Sequence, residues 1–415
     1  MKRKLILTLA LLLSVGLMTG CGEENDSPVA TLNPKPIIIV DSSESSEESS
    51  QTGSSDSASD SSQIEEEENT EDEFLRGGEY HPIKDRVVVD GMMQSWLTGE
   101  WKDAKVAQRR NMAVMINNIQ VSLPQYGISK ASIIYEAPVE GRITRLMGFF
   151  EDYDDLDHIG SVRSSRDYYV YEAMAYDSIY CNWGLARPWV EELINSDRID
   201  NVSQALAGIE NGAPEAFDRI SRPGIALEHT GYMFIDGYNQ AVDRLGYSKN
   251  YRDSFVKAFE FADDGYLATY DDYPDAKKVY PGGTQSNAGG YGKHNPCFEY
   301  NEKDRLYYRS QYSKKQIDEL NGEQLAVTNV VFKVCHGEER LPDDPAHDYL
   351  AFQVHGTGDA YVFTNGKVIK GTWEREDDSS PNLFYDKNGN EIVLNQGKTW
   401  ICCIWKEYAD YISWE

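Results

Sequence analysis

The chain has 415 residues and a formal net charge of −29. Nothing in it forms a basic stripe, which sets aside a nucleic-acid partner. Apart from Cys21 there are five cysteines, Cys181, Cys297, Cys335, Cys402 and Cys403, with no CxxC spacing; they argue against a disulfide framework and read as mostly buried thiols with room for one disulfide.

Lys2, Arg3 and Lys4 precede an apolar run from Leu5 to Met18 that is too short to span a bilayer, which takes roughly 20 residues. Thr19-Gly20-Cys21 closes it with small residues before a cysteine, the lipoprotein signal pattern, although Met18 stands where leucine is usual. A plain secretory signal is the alternative. Residues 1–20 are therefore expected to be a signal peptide, and Cys21 the site of a diacylglycerol that anchors the protein to the membrane, facing outside the cytoplasm, without spanning it. Residues 21–75 hold sixteen acidic residues against one lysine. A Ser- and acid-rich segment of this kind cannot bury enough surface to offset its ordering entropy, so a disordered, self-repelling tether is expected.

From 76 to about 250 strand and helix patterns alternate. MAVMIN (112–117), SIIYEA (132–137), ITRLMGFF (143–150), HIGSV (158–162) and SIYCNW (178–183) predict strands. Helices are expected over 167–176, 188–196 and 231–245, the last with Thr230 as N-cap. From 251 to 415 the pattern is mostly β. Asn365-Gly366 and Asn388-Gly389 predict hairpin turns, and one short helix is expected over 314–320. In DKNGNE the glycine falls at position four, against an EF-hand loop. The Gly-rich run at 280–296 lacks a phosphate-loop ending and reads as mobile surface. The fold class expected is α+β: an N-terminal α/β layered domain with a mixed sheet, then a mostly β C-terminal domain.

Four stretches carry a family resemblance: RRNMAVMINN, PQYGISKASIIYEAPVEGRITRLMGFF, IGSVRSSRDYYV, and the later GDAYVFTNGKVIKGTWERE with SSPNLFYDKNGNEIVLNQGKTWI. Together, over roughly residues 95–405, they resemble the YerB-like lipoproteins, a family with a two-part domain of unknown function numbered 3048. Arg142 stands where that pattern has glycine, and Ser132 where it has aspartate. The resemblance implies an exported, lipid-anchored, two-domain protein and supplies no reaction. From Lys130 to Arg166 the order is also similar to the LytR-CpsA-Psr envelope phosphotransferases, which bind polyprenyl pyrophosphate. There the aspartate that helps hold magnesium would fall on Ser132.

IGSVRSSRDYYV places Arg163, Ser164, Ser165 and Arg166 between a strand and a helix. Backbone N–H groups and the helix dipole favour an anion at such a junction, either serine could cap the helix, and two guanidinium forks suit phosphate or carboxylate. Glu140, Arg142 and Arg145 are near in sequence and would converge if 143–150 paired with 158–162. The plainer alternative is that Asp167, Glu140, Glu151 and Asp152 satisfy the arginines locally. Other constellations are poorer. His229, His294 and His355 have no i, i+4 partner for zinc, no GxSxG elbow is present, and Glu136 with Glu140 reads as turn or surface carboxylates rather than a glycosidase pair. Tyr168, Tyr169, Tyr171, Trp183, Trp189, Trp373 and Trp400 could face sugars, but core packing is the commoner use of each.

Two functions follow. One is a non-catalytic envelope protein that binds an anionic polymer, a cell-wall glycan or a protein partner. The other is an envelope enzyme acting on a lipid-linked or wall glycan. The missing acid–base and metal sets favour the first, and neither cofactor nor metal is expected.

Overall fold

The computed structural model describes residues 87–415 except 188, 288 and 341–348. The signal peptide, Cys21 and the whole of the tether lie outside the described residues.

A ten-stranded sheet organises the fold. Its strands, numbered in chain order, are β1 Met112–Ile116, β2 Ile133–Val139, β3 Ile143–Phe150, β4 Ile179–Asn182, β5 Asn201–Ser203, β6 Asn329–Cys335, β7 Gly356–Thr364, β8 Lys367–Arg375, β9 Leu383–Asp386 and β10 Thr399–Trp405. Their order in space is β9-β8-β7-β6-β10-β2-β3-β1-β4-β5. Strands from either side of residue 250 thus share one sheet, joined where β10 runs parallel to β2. β10 is also parallel to β6, and β1, β4 and β5 are mutually parallel. β3 lies antiparallel between β2 and β1, which makes those two parallel to each other.

Side chains alternate across the sheet. Ala113, Met115, Tyr135, Val331, Ile401 and Cys403 enter one apolar cluster. Val114, Ile116, Ile134, Val330, Trp400 and Cys402 enter the other. Both faces are covered, which is why the central strands read as unbroken apolar runs. Helix α1, Asp167–Met174, gives Tyr168, Tyr169, Val170 and Ala173 to the first cluster. Helix α2, Ile235–Leu245, gives Ile235, Tyr238, Ala241 and Val242 to the second, at helical spacing. Smaller sheets form around His158–Gly160 with Gly231–Phe234, and around Cys297–Asn301 with Leu306–Gln311. Beyond residue 250 the described residues hold strands and short 3-10 turns but no α-helix. No helix among the described residues is long and apolar enough to cross a membrane.

Several local expectations change. The helix expected over 231–245 begins at Ile235, because Tyr232 and Met233 pair as strand with Gly160 and Ile159. Thr230 is not its cap; the Thr230 hydroxyl donates to the Leu227 carbonyl. The helix over 188–196 shrinks to Glu191–Ile194. No helix forms over 314–320. Asp318 there is buried, and its carboxylate accepts the N–H groups of Gly127 and Ser129 from the far half of the chain. Asn365-Gly366 does make the tight turn between β7 and β8, with φ of 47° and 71°. Asn388-Gly389 also reverses the chain, in a wider turn: Tyr385 bridges Glu391 antiparallel, the Ile392 N–H donates to the Phe384 carbonyl, and the Asp386 carboxylate accepts from the N–H groups of Asn388 and Asn390.

The Gly-rich run is largely buried rather than mobile surface. Gly290 has φ +91°, and a Cβ there would lie 2.7 Å from Pro138. The close approach lets the loop carry Tyr291 and His294 under β2, where the Tyr291 hydroxyl donates to the Glu136 carbonyl.

Candidate functional site

The carboxyl ends of β1, β2 and β4 lie on one edge of the sheet, where β3 begins. That is where ligands lodge in sheets with parallel strands. The segment after His158–Gly160 reaches this edge because Val162 bridges Ile116 at the end of β1, and the Arg163 N–H donates to the Met115 carbonyl. The chain then enters α1. The expected pairing of 143–150 with 158–162 does not occur: β3 pairs with β1 and β2, so β1 lies between them. The arginines meet across β1 instead.

Arg145, near the start of β3, is buried and donates from Nη1 to the Ser164 carbonyl at 2.7 Å. Arg163 donates from Nη1 to the Glu228 carbonyl, and its buried Nε has no partner. Arg166 holds Glu140 through Nε at 2.9 Å and through Nη2. Among the described residues neither Arg145 nor Arg163 has a carboxylate within ion-pair distance. The local carboxylates are engaged elsewhere: Asp167 pairs with Arg340, and Glu151 with Lys102, Ser95 and Ser132. Neither serine caps α1. Arg166 occupies the cap position, the buried Ser165 accepts from the Tyr180 hydroxyl, and Ser164 meets the Trp183 carbonyl.

The electrostatics record an excess of positive charge. Burial, then the charges of Arg166 and Arg163, push the Arg145 guanidinium down to about 10. Burial also lowers Arg163; Glu228 pulls the other way and Arg166 adds to the lowering. Burial would raise Glu140, but the hydrogen bonds and charge of Arg166 hold it below the usual carboxylate range. Arg166 and Arg145 thus act on Glu140, while Arg163 feels the more distant charge of Glu228.

Sequence reasoning missed Asn117 and Arg219 at this edge, weighed His229 only as a zinc ligand and took Trp183 only as one of several aromatics. Asn117, just past β1, bonds through Nδ2 to His229 Nδ1 at 2.9 Å. The Trp183 N–H donates to the Arg163 carbonyl, and Arg219 stacks on the Trp183 ring at 4.4 Å. Their one sequence signal was position after apolar strands.

Residues 97–248 match the N-terminal domain, and residues 288–401 the C-terminal domain, of the protein family of unknown function DUF3048. The chain belongs to the DUF3048 family. It is 28% identical over 311 residues to the protein named "Putative lipoprotein YerB" of Bacillus subtilis (strain 168), covering 74% of this chain and 84% of that one. The crystal structure of YerB from Bacillus subtilis matches with a TM-score of 0.62 at 24% identity, over 77% of this chain and 98% of that one, a likeness of fold.

Two departures from the DUF3048 pattern now have structural meaning. Arg142 is exposed in the β2–β3 turn with φ +57°, a left-handed conformation that glycine adopts without strain, and the described hydrogen bonds and ion pairs do not join it to the other arginines. Ser132 precedes β2, whereas Glu140 follows it. The metal-holding position implied by the likeness to phosphotransferases therefore falls on the opposite edge from the arginines, roughly 20 Å away at strand rise.

In this DUF3048 chain Glu136 is not a surface carboxylate. It is fully buried and accepts from Arg309 at 2.8 Å, His294 Nε2 at 3.0 Å, Thr144 at 2.6 Å and Trp400 Nε1 at 3.0 Å. Glu136 and Glu140 are both occupied by arginine, in separate places. Tyr168, Tyr169, Trp373 and Trp400 are core residues, while Tyr171, Trp183 and Trp189 are half-buried.

Proposed function

We propose that this protein is a lipoprotein anchored through Cys21, whose folded part lies outside the cytoplasm and binds an anionic ligand of the cell envelope at the Arg145–Arg163–Arg166 edge. One observation carries the reading: three guanidinium groups gather at the carboxyl edge of parallel strands, only Arg166 has an ion pair among the described residues, and Arg145 and Arg163 bond to backbone carbonyls. A bound anion would supply the missing charge and accept from the unpartnered Arg163 Nε. The name of the Bacillus relative supports the anchor. The N-terminal α/β and C-terminal β division belongs to the same proposal, with the site in the N-terminal part.

Phosphate is expected to raise the melting temperature of the wild type, since a ligand that binds only the folded state stabilises it by mass action. Added neutral salt should shrink that gain. Arg163→Gln should remove most of it and still leave a folded protein. A large loss of stability in Arg163→Gln, with no phosphate effect in the wild type, would make the arginine purely structural. For the anchor, Cys21→Ala should release the protein from the membrane fraction or leave it unprocessed; unchanged membrane retention defeats that half of the reading.

A further inference from the structure

Beside the arginines lies a second, uncharged set of hydrogen-bonding groups. In antiparallel pairing, residues directly opposite share a face of the sheet. Ile116 is paired with Leu146 on one side and with Val162 on the other. One step further along, Asn117 stands opposite Arg145 and opposite Ser161, and the Asn117 N–H donates to the Ser161 carbonyl at 2.9 Å. Arg145, Asn117 and Ser161 therefore form a row on one face, and Arg163, two residues beyond Ser161, falls on that face too.

Ser161 is 1% exposed, and its hydroxyl has no hydrogen-bond partner. The Nε of Arg163 is likewise unpartnered. Buried polar atoms are nearly always satisfied, so two orphans on one face call for a group that meets both. The third member of the set is His229, held by Asn117 at Nδ1 and lying 3.2 Å from Glu228 at Nε2. Burial, then the charge of Arg163, lowers its pKa and favours the uncharged ring. The Trp183 backbone N–H fixes the Arg163 carbonyl, while its ring packs against Phe217 and under Arg219.

We infer that the ligand is an anionic sugar rather than a bare anion, with Arg145, Arg163 and Arg166 on its phosphate or carboxylate, Ser161 and Asn117 on its hydroxyls, and His229 orienting Asn117. The inference rests on the anion site proposed above and names the class of ligand it takes. A site built to bond a hydroxyl rejects an analogue without one, because its own buried groups are then left unpaired.

The test is calorimetric titration of the purified full chain with inorganic phosphate, glucose, glucose 1-phosphate, N-acetylglucosamine 1-phosphate and glucuronate. At least one anionic sugar should bind tenfold or more tightly than phosphate, and glucose should not bind. Ser161→Ala, a small change at a buried site, and Asn117→Ala should each narrow that margin to under about threefold. Phosphate binding without a margin for any of the three anionic sugars overturns the inference and leaves the anion site standing. A margin that persists in both variants, even if all affinities fall together, also overturns it. If no probe binds, or if glucose binds as well as the charged sugars, the anion site itself fails.

Discussion

Glu136 accepts from Arg309, a partner 173 residues away in sequence, and its titration should be visible in the stability of the whole protein. Burial by itself would raise its pKa, but the charge of Arg309 and the bonds from His294 and Thr144 outweigh that and bring it from 4.5 down to about 2. Its folded value is thus below its unfolded one. The stability it contributes is complete above about pH 4.5 and is lost as pH falls through about 2. Glu136→Gln should cost about 3–5 kcal/mol at neutral pH by leaving Arg309 buried without its counter-charge. It should also flatten the acid limb of the stability curve, and denaturant melts at pH 7, 4 and 3 compare the two; an acid limb as steep as the wild type's would show that other carboxylates set it. Arg142 predicts the opposite sign. Arg142→Gly should raise stability by up to about 1 kcal/mol, because a left-handed residue with a Cβ is strained; a lower melting temperature would count against this. At this scale the arginine turn was legible, since Arg163 and Arg166 flank two serines. Glu136 was not, because His294, Arg309 and Trp400 reach it only through the tertiary fold.

Between elements, the Gly-rich loop makes the sharpest contrast of expectation with outcome. Its composition resembles that of exposed linkers, yet its glycines serve close approach. Gly290→Ala should destabilise by about 1–3 kcal/mol, from backbone strain together with the clash against Pro138. Gly389 is the natural control: its φ is +83°, but nothing lies within 4 Å of a Cβ there. Gly389→Ala should cost only about 1 kcal/mol, and equal losses in paired melts would mean that the contact with Pro138 is not what requires glycine. The strands of the main sheet were legible because each carries an apolar run. The absent helix over 314–320 was not, because its polar side chains find partners outside the segment and propensity yields to them. Likewise Tyr232 and Met233 could extend a helix or a strand, and the Ile159 edge decides it.

For the molecule as a whole, the sequence divides near residue 250, where alternating helix and strand give way to strand alone. Which strands become neighbours was not legible, since register across hundreds of residues leaves no local trace. β10 lies between β2 and β6, so the sheet is complete only with both halves. Calorimetry of the folded part should show one transition with equal van't Hoff and calorimetric enthalpies; two separate transitions would favour two domains meeting near residue 250. The position of β10 also sets a timetable. It occupies the middle of the sheet, beside β2, but spans only Thr399–Trp405, far along the chain from its neighbour. Whatever pore the polypeptide leaves, it leaves N-terminus first, so β2 waits with one edge unpaired until Thr399–Trp405 has emerged. The protein therefore cannot mature in step with its own synthesis or passage. Until β10 arrives the waiting edge is open to pairing with other chains, and a chaperone that guards it should matter most in the interval just before β10 emerges.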